Sequence, residues 1–403
     1  MSPNDQHARP GMLPLEGITV VSLEQAVAAP LATRHLADLG ARIIKVERVD
    51  GGDFARAYDE AVHGVASHFV WLNRAKESVA LDLKSETGRA ILRELLDTAD
   101  VLIQNLAPGA ASRLGCGADE LRRQHPELIV VDMSGYGSSG PFVDRKAYDM
   151  LVQAESGLIS VTGSPEQPAK TGVPSADIAA GLYTFSAVLS AVIRRLRTGD
   201  GASIEVSMFD ALVEWLGHPM YMAMYTDTPV PRMGLSHAAI APYDAYPTRD
   251  GEVLIGIQND RGWRQLVTTV FGRPDLVEHP DFATNVLRVR NRASLDALVG
   301  ELTSAFTSAE LSERLNEAGV PAAQLNDLHG MIEHPQLSER ERWREVRTEK
   351  GTVRAVLPPI TYADVEARMG DVPALGEHTR AVLGQLGYSD EQVQRLIEDG
   401  VVA

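Results

Sequence analysis

At 403 residues, with 44% hydrophobic and 23% charged side chains, the chain has the composition of a soluble globular protein and exceeds one core of ordinary size, so two domains or one domain with a large insertion are expected. A formal net charge of −17 argues against nucleic acid and anionic membrane as partners, because both need a concentrated basic face; a local basic pocket for a small polyanion stays open. The single cysteine, Cys116, excludes an intrachain disulfide and a cysteine metal cluster and points to a reducing cytoplasm.

The first residues, Met-Ser-Pro-Asn-Asp-Gln-His, lack the basic and apolar segments of a signal peptide. Ile18 to Leu23 predicts a strand, Pro30 to Leu39 a helix with proline in an early turn, and Arg42 to Val46 a second strand. Val79 to Leu83, Val101 to Ile103 and Leu128 to Met133 follow as strands, with an amphipathic helix over Thr87 to Thr98. Strands apolar on both faces and separated by helices predict an α/β fold with a largely parallel sheet. A long apolar helix is expected over Ile178 to Leu196. Tyr183, Thr184, Ser186 and Ser190 make it fall short of a membrane span. Ile204 to Met208 predicts a strand and Phe209 to Tyr225 one helix. Thr226 to Arg249, rich in Pro, Gly, His and Ala, reads as a connector and site loop. Beyond it come a strand over Glu252 to Ile257 and helices over Gly262 to Phe271, Asn291 to Ser304 (capped by Asn291) and Ala309 to Ala318. Strands around Val353 to Ile360 and a helix pair over His378 to Glu398 close the chain. The expected domains are residues 1–225, the first part of a large domain; 226–329, a smaller α+β domain; and 330–403, a C-terminal return to the large one.

Gly135-Tyr-Gly-Ser-Ser-Gly140 spells a dinucleotide fingerprint after a strand, but Pro141 and Phe142 follow where that motif needs a helix to open. It is read as a flexible loop near a site. The eleven histidines are scattered singly, so no metal is expected. Cys116, in Leu-Gly-Cys-Gly, reads as a small packing residue. Arg48, Lys76, Arg113 and Lys146 fall at the ends of strands or helices of one sheet, where ligands of such folds gather; together they suit a phosphorylated ligand. Asp177 stands between the loop-like Thr171-Gly-Val-Pro-Ser-Ala176 and the long helix. There a carboxylate can accept the free N–H groups of the first turn and feel the positive helix end, so it is expected to stay ionised at neutral pH. Spacing alone leaves two readings, a helix cap or a reactive carboxylate.

Ordered blocks along most of the chain resemble the family III coenzyme A transferases, a group that includes formyl-CoA:oxalate and carnitine CoA-transferases and the related α-methylacyl-CoA racemases. The blocks include Leu15-Glu-Gly-Ile-Thr-Val-Val-Ser-Leu23, Leu36-Ala-Asp-Leu-Gly-Ala-Arg-Ile-Ile-Lys-Val-Glu47, Asn105-Leu-Ala-Pro-Gly109, Ala176-Asp-Ile-Ala-Ala-Gly181, Arg197-Thr-Gly-Asp-Gly201, Met208-Phe-Asp-Ala211 and Leu375-Gly-Glu-His-Thr379. The resemblance implies a Rossmann-like large domain built from both chain ends, an interlocked homodimer, and Asp177 as the catalytic aspartate. It places Arg48, Lys76, Asn105, Arg113, Lys146 and Tyr148 around coenzyme A, a substrate thioester rather than a tightly bound cofactor. Tyr148 would donate to the thioester carbonyl or position Asp177. Gly135 and Gly137 would let a loop close over the acyl group and exclude water.

Two departures from the family narrow the chemistry. Its racemases carry a histidine before an acidic residue where this chain has Tyr148-Asp149, and racemisation needs a base on each face of the α-carbon. The formyl transferases carry a run of glycines where this chain has Ser236-His-Ala-Ala-Ile-Ala-Pro-Tyr-Asp244. The chain looks more like the branch acting on short dicarboxylic acids, with succinyl-CoA as donor, and His237 with Arg232 is expected to bind the distal carboxylate. A racemase, an intramolecular CoA transferase and a non-catalytic acyl-CoA-binding protein stand as the alternatives.

Overall fold

A computed structural model describes residues 11–227 and 230–403. The described residues divide into two units, one of residues 11–158, 171–217 and 341–403, the other of residues 159–170, 218–227 and 230–340.

The first unit is built on six parallel strands: β1 (Thr19–Leu23), β2 (Arg42–Glu47), β3 (Lys76–Ala80), β4 (Val101–Gln104), β5 (Ile129–Ser134) and β6 (Ala202–Ser207), in the order β3-β2-β1-β4-β5-β6. Alternate residues of the apolar runs enter opposite cores. Val20, Ile43, Val101, Ile103, Ile129 and Val131 pack with the helices Ala28–Asp38 and Ser175–Thr198. Val21, Ile44, Leu102 and Val130 pack with the helix Glu86–Asp97 and with Val382, Leu383, Val393 and Val402 from the end of the chain. Both faces are covered, so the strands read as continuous apolar runs rather than as alternating ones. The sheet changes winding direction between β1 and β4, and in doubly wound sheets of this order that switch opens a ligand crevice at the carboxyl ends of the strands.

The Ser175–Thr198 helix is, against expectation, long and apolar enough to cross a membrane by length and composition, but half of its apolar window is buried against the rest of the protein. Gly181 lets it approach its neighbour closely, since a Cβ there would stand 2.7 Å from the Ala28 carbonyl oxygen. The expected single helix over Phe209 to Tyr225 is two, Met208–Trp215 and Gly217–Tyr225. Gly217 and Pro219 lie at the break, and proline disfavours helical backbone at the residue before it.

The second unit holds the antiparallel strands β7 (Tyr243–Pro247), β8 (Glu252–Gly256) and β9 (Ala322–Gln324), with Tyr246, Val253, Ile255, Trp263, Leu295 and Leu311 among its core residues. It also contains residues 159–170, which the sequence assigns to the large domain. Gly234 N–H donates to the Gly163 carbonyl at 2.9 Å, and Arg232 holds the carbonyls of Ser164 and Pro165, each at 3.0 Å. Asn291 precedes the Arg292–Thr303 helix without capping it; its amide donates to the Asp281 carbonyl instead. The antiparallel pair β10 (Trp343–Thr348) and β11 (Gly351–Val356) begins the stretch that rejoins the first unit.

Candidate active site

Asp177 is the third residue of its helix, not the cap. The cap position is Pro174, and the free N–H groups of the first turn go to a carboxylate 28 residues earlier in the chain: Asp149 Oδ1 accepts from Ala176 N at 2.8 Å and from Asp177 N at 3.3 Å. Asp149 is held in turn by Gln153, whose Nε2 donates to Oδ2 at 2.7 Å and whose Oε1 accepts from Thr171 N at 3.0 Å. Asp177 therefore shares the helix start with a neighbouring negative charge. Burial, then the Asp149 carboxylate, push the Asp177 carboxyl up to about 7. The expectation that Asp177 accepts the first-turn N–H groups and so stays ionised at neutral pH is corrected: Asp149 takes those amides, and the Asp177 carboxyl titrates near neutrality. The arrangement leaves Asp177 free for chemistry, since a carboxyl titrating near neutrality is both ionisable and nucleophilic.

Tyr148 occupies the cap position of the helix Asp149–Glu155 and is 66% exposed. A second tyrosine, absent from the residues that the sequence singles out, faces the same place. Tyr58 is pushed up to about 12 by burial and then by Asp53, Asp177 and Tyr148, so it lies within electrostatic reach of both site residues. It ends the short turn Phe54–Ala57 and stacks edge-on against His68 at 5.5 Å. Its only signal in the sequence is an aromatic in a glycine-rich stretch after a strand.

Of the expected coenzyme A ligands, Arg48, Arg113 and Lys146 are exposed cations of the first unit. Arg48 is oriented by bonds to the Gly52 carbonyl at 3.1 and 2.9 Å. Lys146 borders an open groove with Tyr136, Arg145, Leu151, Ala154 and Glu155. Asn105 lies at the switch point, its amide paired reciprocally with the backbone of Gln25 at 2.9 Å in both directions. Lys76 is a correction. Its ammonium is buried and donates to Glu24 Oε1 at 2.7 Å, the Pro30 carbonyl at 3.0 Å and Asn73 Oδ1 at 3.1 Å, so all three protons have acceptors inside the protein. Burial pushes it down to about 8. It supports the core and is closed to a phosphate.

The loop carrying Gly135 and Gly137 is fastened, not slack. A Cβ at Gly135 would lie 2.1 Å from the Ala147 Cβ; Gly137 takes φ +91; Glu205 accepts from the backbone and hydroxyl of Ser138. Turns follow Gly140, and the next helix opens only at Asp149.

His237 and Arg232 belong to the second unit. Arg232 is committed to the two carbonyls named above, and the cation that touches His237 is Arg292, whose Nη2 donates to the His237 carbonyl at 2.7 Å and to that of Ile240 at 3.0 Å. The His237 ring stacks on Tyr243 at 5.5 Å, and its Nδ1 accepts from Ala239 N. Burial and then the charges of His218 and Arg292 hold it below the usual histidine range. Among the described residues no group of three or more His, Cys, Asp or Glu could hold a metal. Cys116 is buried, and burial pushes its thiol up to about 11.

The family "CoA-transferase family III" matches residues 15–379. A succinate–glutarate CoA-transferase of Agrobacterium fabrum is 34% identical over 93% of this chain and 96% of its own length. A succinyl-CoA:mesaconate CoA-transferase of Haloarcula marismortui is 31% identical over 93% and 96% respectively. The crystal structure of a CAIB/BAIF family protein from Brucella suis superposes with a TM-score of 0.81 at 34% identity, covering 93% of this chain and 99% of that one. A match running through nearly the whole chain settles the class: the chain belongs to CoA-transferase family III and is an enzyme of that family.

Proposed function

We propose that the enzyme transfers coenzyme A from succinyl-CoA or a similar donor to a short-chain dicarboxylic acid through covalent intermediates on Asp177. The Asp177 carboxylate attacks the donor thioester carbonyl, the C–S bond breaks, and coenzyme A leaves as the thiolate from a mixed anhydride. The thiolate attacks the Asp177 carbonyl of that anhydride and expels the donor acid, giving an aspartyl thioester. The acceptor carboxylate displaces the thiolate to form a second anhydride, and thiolate attack on the acceptor's carbonyl yields the new acyl-CoA and restores Asp177. Every intermediate keeps the energy of the thioester, which hydrolysis would lose. The observation that carries this reading is the half-buried Asp177 carboxyl at a helix start whose amides Asp149 already satisfies.

Arg48, Asn105, Arg113 and Lys146 bind coenzyme A in this reading, and Tyr148 donates to the thioester carbonyl or positions Asp177. His237 binds the distal carboxylate of the acceptor, in keeping with the glutarate and mesaconate activities for which two relatives are named. The enzyme works in the cytoplasm and as a homodimer; the exposed apolar residues Leu182, Ile193, Leu196 and Trp215 on two helices of the first unit support the dimer. Incubation with succinyl-CoA and a panel of free acids, scored by mass for new thioesters, tests the reaction, and hydroxylamine quenching tests the intermediate. A hydroxamate at Asp177, lost in Asp177→Asn, is expected. No exchange with any acid, together with deuterium wash-in at the α-carbon, would replace the reading with racemisation.

A further inference from the structure

The first unit contains a buried carboxylate, Asp53, that the reaction above does not use. Its Oδ1 accepts two backbone N–H groups, from Ala26 at 3.0 Å and Ala55 at 2.9 Å, while its Oδ2 accepts the buried Lys45 ammonium at 2.7 Å. The two amides belong to different turns of the chain. Ala26 sits in the turn that leaves β1 at the switch point, at φ 62, a left-handed conformation that costs a residue with a Cβ roughly 1 kcal/mol. The adjoining Gln25 is pinned on the other side by Asn105. From this turn the chain enters the Ala28–Asp38 helix, and Ala26 packs in one apolar cluster with Ile178, the residue after Asp177. Ala55 belongs to the short turn that Asp53 caps and that ends at Tyr58, a residue within electrostatic reach of Asp177 and Tyr148.

We propose that Asp53 is a positioning residue for acyl transfer: one carboxylate clamps the left-handed turn at Ala26 and the Tyr58 turn together, and so fixes the crevice wall against which the thioester is presented to Asp177. The inference rests on the proposed reaction. Lys45, itself also 3.5 Å from Glu24, supplies the charge that keeps the clamp oriented.

Asp53→Asn is the discriminating variant because it keeps size and shape. An asparagine cannot serve both sides. With its oxygen toward the two peptide N–H groups, its NH2 faces a buried ammonium; with its oxygen toward Lys45, its NH2 faces two donors. The charged contact is the more costly to lose, so the amide clamp is the one released. The expected result is a tenfold or greater fall in kcat with KM for the acyl-CoA within threefold of wild type. Ala26→Gly, introduced into Asp53→Asn, is expected to recover kcat at least fivefold, because glycine enters φ 62 without the steric cost that alanine bears there. A kcat unchanged in Asp53→Asn, or a double variant no faster than the single one, would overturn the proposal. If Asp53→Asn does not fold, Ala26→Val replaces it: valine resists left-handed φ with Asp53 intact, so it must lower kcat with KM held, and a wild-type kcat there overturns the proposal equally. Hydroxylamine trapping separates the two levels. Wild type that yields no Asp177 adduct removes the reaction, whereas wild type and Asp53→Asn forming the adduct at the same rate remove only the role of Asp53.

Discussion

Replacing Asp177 with asparagine stabilises the protein in a way that depends on pH. The side chain keeps its size and loses only the capacity to ionise. In the wild type the carboxyl is moved from 3.8 to about 7 by burial and by Asp149. At ~1.4 kcal/mol for each pH unit of displacement, holding Asp177 ionised opposes folding by up to about 4 kcal/mol. The sign follows from proton uptake. Between pH 3.8 and about 7 the folded chain binds the proton more tightly than the unfolded chain, so the stability contributed by the neutral form is complete below pH 3.8 and is lost as pH rises through 7. Asp177→Asn carries no such loss. In urea titrations followed by tryptophan fluorescence, the two proteins are expected to unfold at nearly the same midpoint at the acid end, with the variant gaining steadily to pH 7 and the gap level above it. A variant less stable than wild type at pH 8, or a gap that does not depend on pH, would refute the assignment of Asp177 as a carboxyl raised by its surroundings.

Asp149→Asn removes the second cause of that displacement, so the rise of acyl-enzyme formation with pH is expected to move to lower pH than in wild type, read from a pH–rate profile of hydroxamate trapping. Lys76→Met leaves the buried Glu24 with Lys45 at 3.5 Å as its one remaining cation, beside the Thr33 hydroxyl at 2.6 Å, and is expected to cost about 3–5 kcal/mol in urea unfolding, whereas Arg113→Ala should raise KM for acyl-CoA and leave stability unchanged; equal stability of the two variants would contradict the separation of core from ligand cations. His237→Ala is expected to raise KM for dicarboxylic acceptors much more than for monocarboxylic ones in the exchange assay, and an equal effect on both discards its role. Gly135→Ala places a methyl 2.1 Å from the Ala147 Cβ and is expected to destabilise by about 1–3 kcal/mol in the same unfolding assay, as overpacking does.

The parallel sheet is legible in the sequence because each strand is buried on both faces, and Val20-Val21, Ile43-Ile44 and Val101-Leu102-Ile103 announce this directly. The pattern sets β3 three residues late, since the apolar run Val79 to Leu83 outweighs Lys76, whose polar end is absorbed by Glu24 from another strand's end. β7 is hidden in a connector because Tyr243 to Pro247 has the composition of a loop and owes its pairing to β8. At the site, local sequence puts Asp177 at the helix start but does not show which group satisfies the amides there. The cap comes from Asp149, through a fold that brings residues 149 and 176 together, and no local spacing encodes that. The same limit holds for Arg232, whose partners lie 67 and 68 residues earlier in the chain, and for Tyr58, whose neighbours are assembled only by the sheet.

The sealed position of Cys116 has a practical consequence. Its sulfur is inside the apolar core, and burial keeps it protonated far above neutral pH, so the folded protein offers no competing thiolate to an aromatic disulfide reagent. A free thiol that appears in an acyl-CoA assay then comes from the substrate and not from the protein, so hydrolytic loss of the thioester can be followed by absorbance without blocking or replacing any residue.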